Sequence, residues 1–387
     1  MDTRLPEPDD AAKADSLALS RRLADEIEAR GGWMSFARYM ELALHCPGLG
    51  YYGGGSRKFG ASTEGGDFVT APEITPLFGQ ALARQVGPIM AAAAAPMVLE
   101  VGAGSGRLAA DLLTALRASG ATPAQYLILE LSGELRARQR DTLAEAVPEL
   151  LDRVVWLDHL PERFSGCVLG NELLDAMPVH AVAWRDDGLK ERGVTLDKGQ
   201  FAWSERPAAD FLVDAAAEIP AQAPYASELG LVAAGWAAAW GERLAKGALL
   251  LIDYGLPRHE YYHPSRNGGT LRCHYRHRSH DDPFWWPGLS DITAHVDFTA
   301  IAEAGHGAGL DVLGYTSQAN FLINCGLGDL VAARHEASEA SGLRASSATQ
   351  MLISPNEMGE LFKVIALGRG VATPLIGFAR GDRLHTL

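Results

Sequence analysis

The chain has 387 residues, 47% of them hydrophobic and 21% charged, and its formal net charge is −14. That composition is globular, and the length suffices for one large α/β domain or two smaller ones with a buried core. So acidic a balance excludes a non-specific binder of nucleic acid or anionic membrane, since both need a basic surface, while it suits a cationic substrate or plain solubility.

The opening stretch "MDTRLPEPDDAAKADS" is acidic, lacks an apolar core and has few arginines. It reads as disordered over residues 1–15 and as neither a signal nor a transit peptide. "SLALSRRLADEIEARGG" spaces Leu17, Leu23 and Ile27 helically and stops at Gly31-Gly32; "SFARYMELALHC" follows, with Ser35 as a plausible N-cap. Next comes a Gly-rich stretch, "PGLGYYGGGSRKFGASTEGGDFVTAPEITP", whose interleaved Tyr51, Tyr52, Phe59 and Phe68 favour a functional loop. "ITPLFGQALARQVGPIMAAAAA" reads as a helix.

From residue 97 the pattern alternates. "MVLEVG", "QYLILE", "RVVWLD", "GCVLGN" and "ALLLIDYG" are short apolar runs, and "RLAADLLTALRASG" and "GELRARQRDTLAEAVPEL" are helical patterns among them. Near-continuous apolar runs alternating with helices are what buried parallel strands with right-handed crossovers look like. Between the fourth and fifth runs, residues 180–207 alternate in period two, with turns at Asp187-Gly188 and Lys198-Gly199, which predicts an inserted β-meander. "AAGWAAAWGERLA" is a short packed helix. A helix near 297–308, a strand "GLDVLGYT", a variable helical stretch and a strand "FKVIALGR" complete the chain. No apolar run approaches the roughly 20 residues that span a bilayer. The four cysteines form no C-x-x-C pair, so a reducing compartment, the cytoplasm, is expected.

The chemistry starts at "VLEVGAGSGRLAADLL". Gly-rich strand-to-helix turns allow positive φ and close approach of a ligand. Here the spacing of Gly102, Gly104 and Gly106 is G-x-G-x-G, not the G-x-G-x-x-G that seats a dinucleotide pyrophosphate. Glu100 precedes the turn, where it would repel a pyrophosphate but not a cation. The second strand ends in Glu130, where a carboxylate takes both ribose hydroxyls of an adenosine. A cationic adenosine ligand without pyrophosphate is S-adenosylmethionine. The competing readings are a tight turn with surface acids, or a dinucleotide-binding NAD-dependent oxidoreductase.

These residues also carry a resemblance. "GDFVTAPEITPLFG", "LEVGAGSGRLAADLL", "LILELSGELRARQ", "GNELLDAMPVH", "LLIDYG" and "GTLRCHYRHRSHDDPFWWPGLSDITAHVDF" together resemble the MidA-like family of class I S-adenosylmethionine-dependent methyltransferases. The resemblance runs over about residues 33–368. It implies an α/β Rossmann-like fold, a seven-stranded mostly parallel sheet with an N-terminal helical extension and the β-meander inserted. Its mitochondrial members are assembly factors for respiratory complex I, associated with symmetric dimethylation of a protein arginine. The implied partner is thus a protein substrate, with a respiratory-complex subunit as the candidate, and the implied cofactor is S-adenosylmethionine. Three parts are expected: residues 1–70 as N-terminal helices and Gly-rich loop, 71–180 with 245–387 as cofactor-binding core, and 181–244 as an inserted substrate-recognition region. A methyltransferase-fold assembly factor with little activity is the alternative.

In an open α/β sheet the ligand crosses the carboxyl ends of the strands. That collects the three glycines, Glu130, Asp158 after the third strand, and Asn171-Glu172 after the fourth. The family pattern implies that Asp158 accepts the adenine amino hydrogen; otherwise it is a loop acid. The residues after strand four sit nearest the transferable methyl. An arginine acceptor is protonated and delocalised, so adjacent carboxylates must hold it, concentrate electron density on one nitrogen and accept its proton. Glu172 is expected to clamp the guanidinium. Asp175 is a second carboxylate, a loop orienter or a cap of the turn toward Pro178; if the segment turns helically, it shares a face with Glu172. Asn-Glu-Leu-Leu is unlike the Asn/Asp-Pro-Pro-Tyr/Phe of base and amide methyltransferases. "GDFVTAPEIT" supplies Asp67, Thr70 and Glu73 to a loop that, by the resemblance, closes over cofactor and substrate. Glu73 is the other candidate second carboxylate, or a first-turn helix acid. His274, His277 and His280 could be read as metal ligands. But Gly, Pro and Arg fill that segment, and methyl transfer from a sulfonium needs no metal, so none is expected.

Overall fold

The computed structural model describes residues 5–54 and 70–387. Asp67, Phe59 and Phe68 lie outside the described residues. By compactness the chain divides into two units. One takes in the described residues before 55 with Asp175–Ala234 and Leu256–Asp297; the other takes in residues 70–174 with Gly235–Gly255 and Phe298–Leu387.

The second unit holds the central sheet. Seven of its eight strands are β1 (Met97–Val101), β2 (Gln125–Leu129), β3 (Val154–Leu157), β4 (Phe164–Asn171), β5 (Leu244–Leu256), β6 (Asp311–Ser317) and β7 (Phe362–Arg369), and the path across the sheet runs β6-β7-β5-β4-β1-β2-β3. Neighbours from β5 to β3 are parallel, whereas β7 runs antiparallel to both β5 and β6. This is the mostly parallel sheet that the alternation of apolar runs and helices predicts. The strands are apolar on both faces because helices cover both. Helices Leu77–Ala93 and Arg107–Ala118 bury Phe78, Leu82, Leu108 and Leu112 in one core with Val98, Tyr126, Leu169 and Leu250. Each such residue contributes roughly 1.5–3 kcal/mol by leaving water. The strand order reverses direction at β1, between β2 and β4, which puts the turn after β1 at the switch point where α/β sheets bind ligands.

The other unit joins the N-terminal helices to the meander. Its first helix starts at Asp10, not near residue 16, because Asp9 caps it by accepting from the Ala12 N–H at 2.9 Å. Ser35 caps Phe36–His45 as expected. The meander strands His180–Arg185, Gly188–Asp197 and Gln200–Pro207 pair antiparallel through both anticipated turns. Two further strands, Met34–Ser35 and Tyr225–Leu229, join them. Met34 and the second helix therefore belong with the insertion, and Tyr39, Met40, Ala181 and Val194 share one core. The histidine-rich segment is a hairpin, Arg272–Tyr275 with Arg278–His280, in which Trp285 packs on Tyr275 and His280. Among the described residues no helix is long and apolar enough to cross a membrane, and no group of three or more His, Cys, Asp or Glu is placed to hold a metal.

Candidate active site

The turn after β1 takes its shape from three glycines in the left-handed region: φ is 72° at Gly102, 52° at Gly104 and 85° at Gly106. Gly106 ends the turn as the residue before helix Arg107–Ala118, and a Cβ there would stand 3.1 Å from the Gln139 Cα. Helix Gly133–Ala146 braces the turn from outside. Gln139 Nε2 donates to the Gly104 carbonyl at 3.0 Å, and Thr142 Oγ1 to the Ser105 carbonyl at 2.8 Å.

Gln139 also ties that turn to the end of β2. Its Nε2 lies 3.1 Å from Glu130 Oε2, while its Oε1 accepts from Trp156 Nε1 at 2.8 Å. Glu130 Oε1 accepts from the Ser132 N–H at 2.9 Å. Burial raises the Glu130 carboxyl above its ordinary value, opposed by these bonds. Asp158, after β3, is largely exposed and pairs with Arg136 Nη2 at 2.8 Å; Arg136 donates as well to the carbonyls of Glu130 and Leu157, both at 2.6 Å. Glu100 is buried inside the sheet, where Tyr126 OH donates to its Oε2 at 2.6 Å. Burial pushes its carboxyl up to about 7, with Glu130 adding to the rise and Tyr126 opposing it. The acid that ends "VLE" is thus a partner of Tyr126, a contact that no local spacing announces.

At the end of β4 the chain turns sharply. Glu172 has φ 51°, its N–H donates to the Ile252 carbonyl at 2.9 Å, and its Oε1 accepts from Asn171 Nδ2 at 3.1 Å. The next two N–H groups, of Leu173 and Leu174, donate to one carboxylate oxygen of Asp253 at 3.0 and 2.8 Å; its other oxygen accepts from the Tyr254 N–H at 2.9 Å. Asp253 is fully buried near the end of β5. Sequence reasoning missed it, although an Asp closing the apolar run "ALLLI" is the same signal that singled out Asn171 and Glu172. Asn171 Oδ1 is buried with no hydrogen-bond partner among the described residues.

The helical turn that would put Asp175 on one face with Glu172 does not form. The left-handed Glu172 breaks the spacing, so the shared helix face on which Glu172 and Asp175 were paired is absent. Asp175 is buried, begins the other compact unit and accepts from the Ala294 N–H through its carbonyl at 3.0 Å. Thr70 precedes the short helix Ala71–Ile74 without capping it by its side chain. Glu73, in that helix, accepts a hydrogen bond from Ser105 Oγ, which ties it to the glycine turn.

Together these residues fit an adenosine ligand with a cationic tail. A backbone cradle kept open by positive-φ glycines lies at the switch point, a braced carboxylate stands at the end of β2, and a buried amide oxygen at the end of β4 lacks a donor among the described residues. Gly102 to Gly106, Glu130 and Asn171 would hold such a cofactor, which supplies a sulfonium-activated methyl group.

Comparison with known proteins agrees. Residues 81–316 match the family model for S-adenosyl-L-methionine-dependent methyltransferases. The chain is 30% identical to the mitochondrial protein arginine methyltransferase NDUFAF7 of Danio rerio, over 90% of this chain and 86% of that protein. The human NDUFAF7 is 28% identical over 90% of this chain and 82% of that one. A crystal structure from Burkholderia thailandensis, bound to S-adenosyl-homocysteine, superposes with TM-score 0.96 at 54% identity, covering 99% of this chain and all of that one (100%). A native crystal structure from the same organism gives 0.93 at 52% identity, with 99% and 100% coverage. The chain therefore belongs to the MidA-like family of class I S-adenosyl-L-methionine-dependent methyltransferases, and S-adenosyl-L-methionine is its cofactor.

Proposed function

We propose that the enzyme methylates an arginine side-chain nitrogen of a protein substrate, with a respiratory-complex subunit as the substrate class that the family resemblance carries. The observation that carries this reading is the carboxylate of Glu172 beside Asn171 at the end of β4, in a turn held by Asp253. A carboxylate there suits a cationic, planar guanidinium better than a neutral base or amide. The names of the curated relatives support it.

In this reading the core formed by 71–180 and 245–387 holds the cofactor, and 181–244 recognises substrate. Glu172 clamps the guanidinium and accepts its proton, while Glu73 is the candidate for a second carboxylate. The bond between Ser105 and Glu73 supports a role for Glu73 in bracing the cofactor turn. Asp158 with Arg136 borders the adenine end. The four cysteines are buried free thiols, which supports a reducing compartment, the cytoplasm, for this chain.

Labelled methyl transfer into a lysate of the source organism, followed by mass spectrometry of modified residues, tests the proposal. Label on arginine of a protein supports it. Label confined to other residue types removes arginine as acceptor, and cofactor binding without any label favours an assembly factor that retains the fold.

A further inference from the structure

A cavity of about 400 Å³ opens beside the meander, lined by Arg185, Arg192, Pro224, Tyr225 and Asn267 among others, and no carboxylate lines it among the described residues. In a chain of net charge −14 that is a local reversal of sign. The two guanidiniums differ in how they are met. Arg185 grips Glu205 through both carboxylate oxygens, with Nε at 2.9 Å. Arg192, directly opposite Glu205 across the strands, comes only within 3.9 Å of the same carboxylate. Its guanidinium lies 4.4 Å above the Trp203 ring, and its buried Nε has no hydrogen-bond partner among the described residues. The other acid whose field reaches it, Glu228, is fully buried and gives Oε2 to the Thr270 N–H at 2.8 Å, Thr270 Oγ1 at 3.0 Å and Tyr261 OH at 3.3 Å. Burial accordingly pulls the Arg192 guanidinium below its ordinary value.

A half-buried arginine with unspent donors, flattened on an indole and facing a cavity free of acids, is built to take a planar anion in bidentate fashion. We propose that this cavity binds a carboxylate, supplied by an acidic side chain of the protein substrate. The proposal rests on the protein-methylation reading above and adds a substrate preference to it: the target carries acidic residues near the methylated arginine. A negatively charged enzyme otherwise repels such a segment, so the cavity makes recognition local.

The test uses two pools of arginine-containing peptides with degenerate flanks, one with Asp and Glu at fixed flanking positions and one with the corresponding amides. Binding is read by fluorescence polarisation and methylation by label incorporation. The full-length enzyme should favour the acidic pool by about tenfold in Kd and in KM, the size of one good charge-assisted pair. Arg192→Gln should lose that preference with S-adenosyl-homocysteine affinity unchanged. Asn267→Asp, at an exposed position, should abolish it without disturbing the buried cation. Arg192→Lys, which keeps the charge but loses the fork, should retain only part. Equal binding of the two pools by the wild type, or a preference that survives both Arg192→Gln and Asn267→Asp, overturns the proposal. Binding is read independently of turnover, so an acidic preference without methyl transfer would sink the protein-methylation reading and leave the cavity assignment standing. Succinate tests the free-metabolite source: tight succinate binding lost in Arg192→Gln, with both pools bound alike, would assign the cavity to a small dicarboxylate and overturn the peptide assignment.

Discussion

Asp253→Asn isolates what holds the turn at the end of β4. In the wild type one carboxylate accepts three backbone N–H groups, from Leu173, Leu174 and Tyr254, at 3.0, 2.8 and 2.9 Å, with no solvent exposure. The asparagine keeps a single acceptor oxygen. Turned toward Leu173 and Leu174, it presents an NH2 to the Tyr254 N–H; turned the other way, it faces two donors. At least one buried donor then meets another donor, at a cost of about 1–3 kcal/mol. The surviving bonds fall from charge-assisted to neutral and lose about 1 kcal/mol more. The sum, about 3 kcal/mol, should lower the melting temperature by on the order of 5 °C. Methyl transfer should fall more than stability suggests, by about 10- to 100-fold, because a displacement near 1 Å at a reacting group has that effect. Affinity for S-adenosyl-homocysteine should stay within a few-fold, since the glycine turn, Gln139 and Glu130 are untouched. Scanning calorimetry, calorimetric titration and label incorporation read the three quantities. An unchanged melting temperature with full transfer would show that Asp253 does not hold the turn. A loss of cofactor affinity equal to the loss of transfer would show that it supports the whole sheet end, not the acceptor side.

Glu172→Gln should bind S-adenosyl-homocysteine normally and lose methyl transfer by at least about 100-fold, since the amide keeps the shape but neither the charge nor the base; retained turnover removes Glu172 from catalysis. Gly104→Val should abolish cofactor binding in a titration, because a β-branched residue at φ 52° is strained by about 1–2 kcal/mol and forces the turn out of the shape that its three left-handed glycines give it; wild-type affinity would mean that the cofactor lies elsewhere. Glu100, raised to about 7 from 4.5 by burial, holds its proton more tightly folded than unfolded, so its contribution to stability falls as pH rises from about 4.5 to about 7 and is level above. Glu100→Gln should therefore gain on the wild type by about 3 kcal/mol in denaturant unfolding between pH 4.5 and pH 8, cofactor absent; a difference independent of pH would place the Glu100 carboxyl in an ordinary, solvated setting.

What the amino-acid sequence determined by itself was everything that local periodicity and turn chemistry encode. The apolar runs became parallel strands because helices cover both their faces, and the G-x-G-x-G turn landed at the switch point because the alternation of strands and helices dictates the winding. Asp187-Gly188 and Lys198-Gly199 made the meander turns for the same reason, since residues that accept positive φ are visible one at a time. Glu130 and Asn171 fell at strand ends, where a count of residues suffices to place them. Only the tertiary structure decided which carboxylates are committed and to whom. Asp253 reaches N–H groups about 80 positions away in the chain, Gln139 bridges the glycine turn, Glu130 and Trp156, and Tyr126 occupies Glu100 across a strand pair. It also bent the chain at Glu172, so that the helical pairing with Asp175 never formed. Those contacts join residues distant in sequence, and burial, which sets the strength of each, exists only once the sheet has assembled.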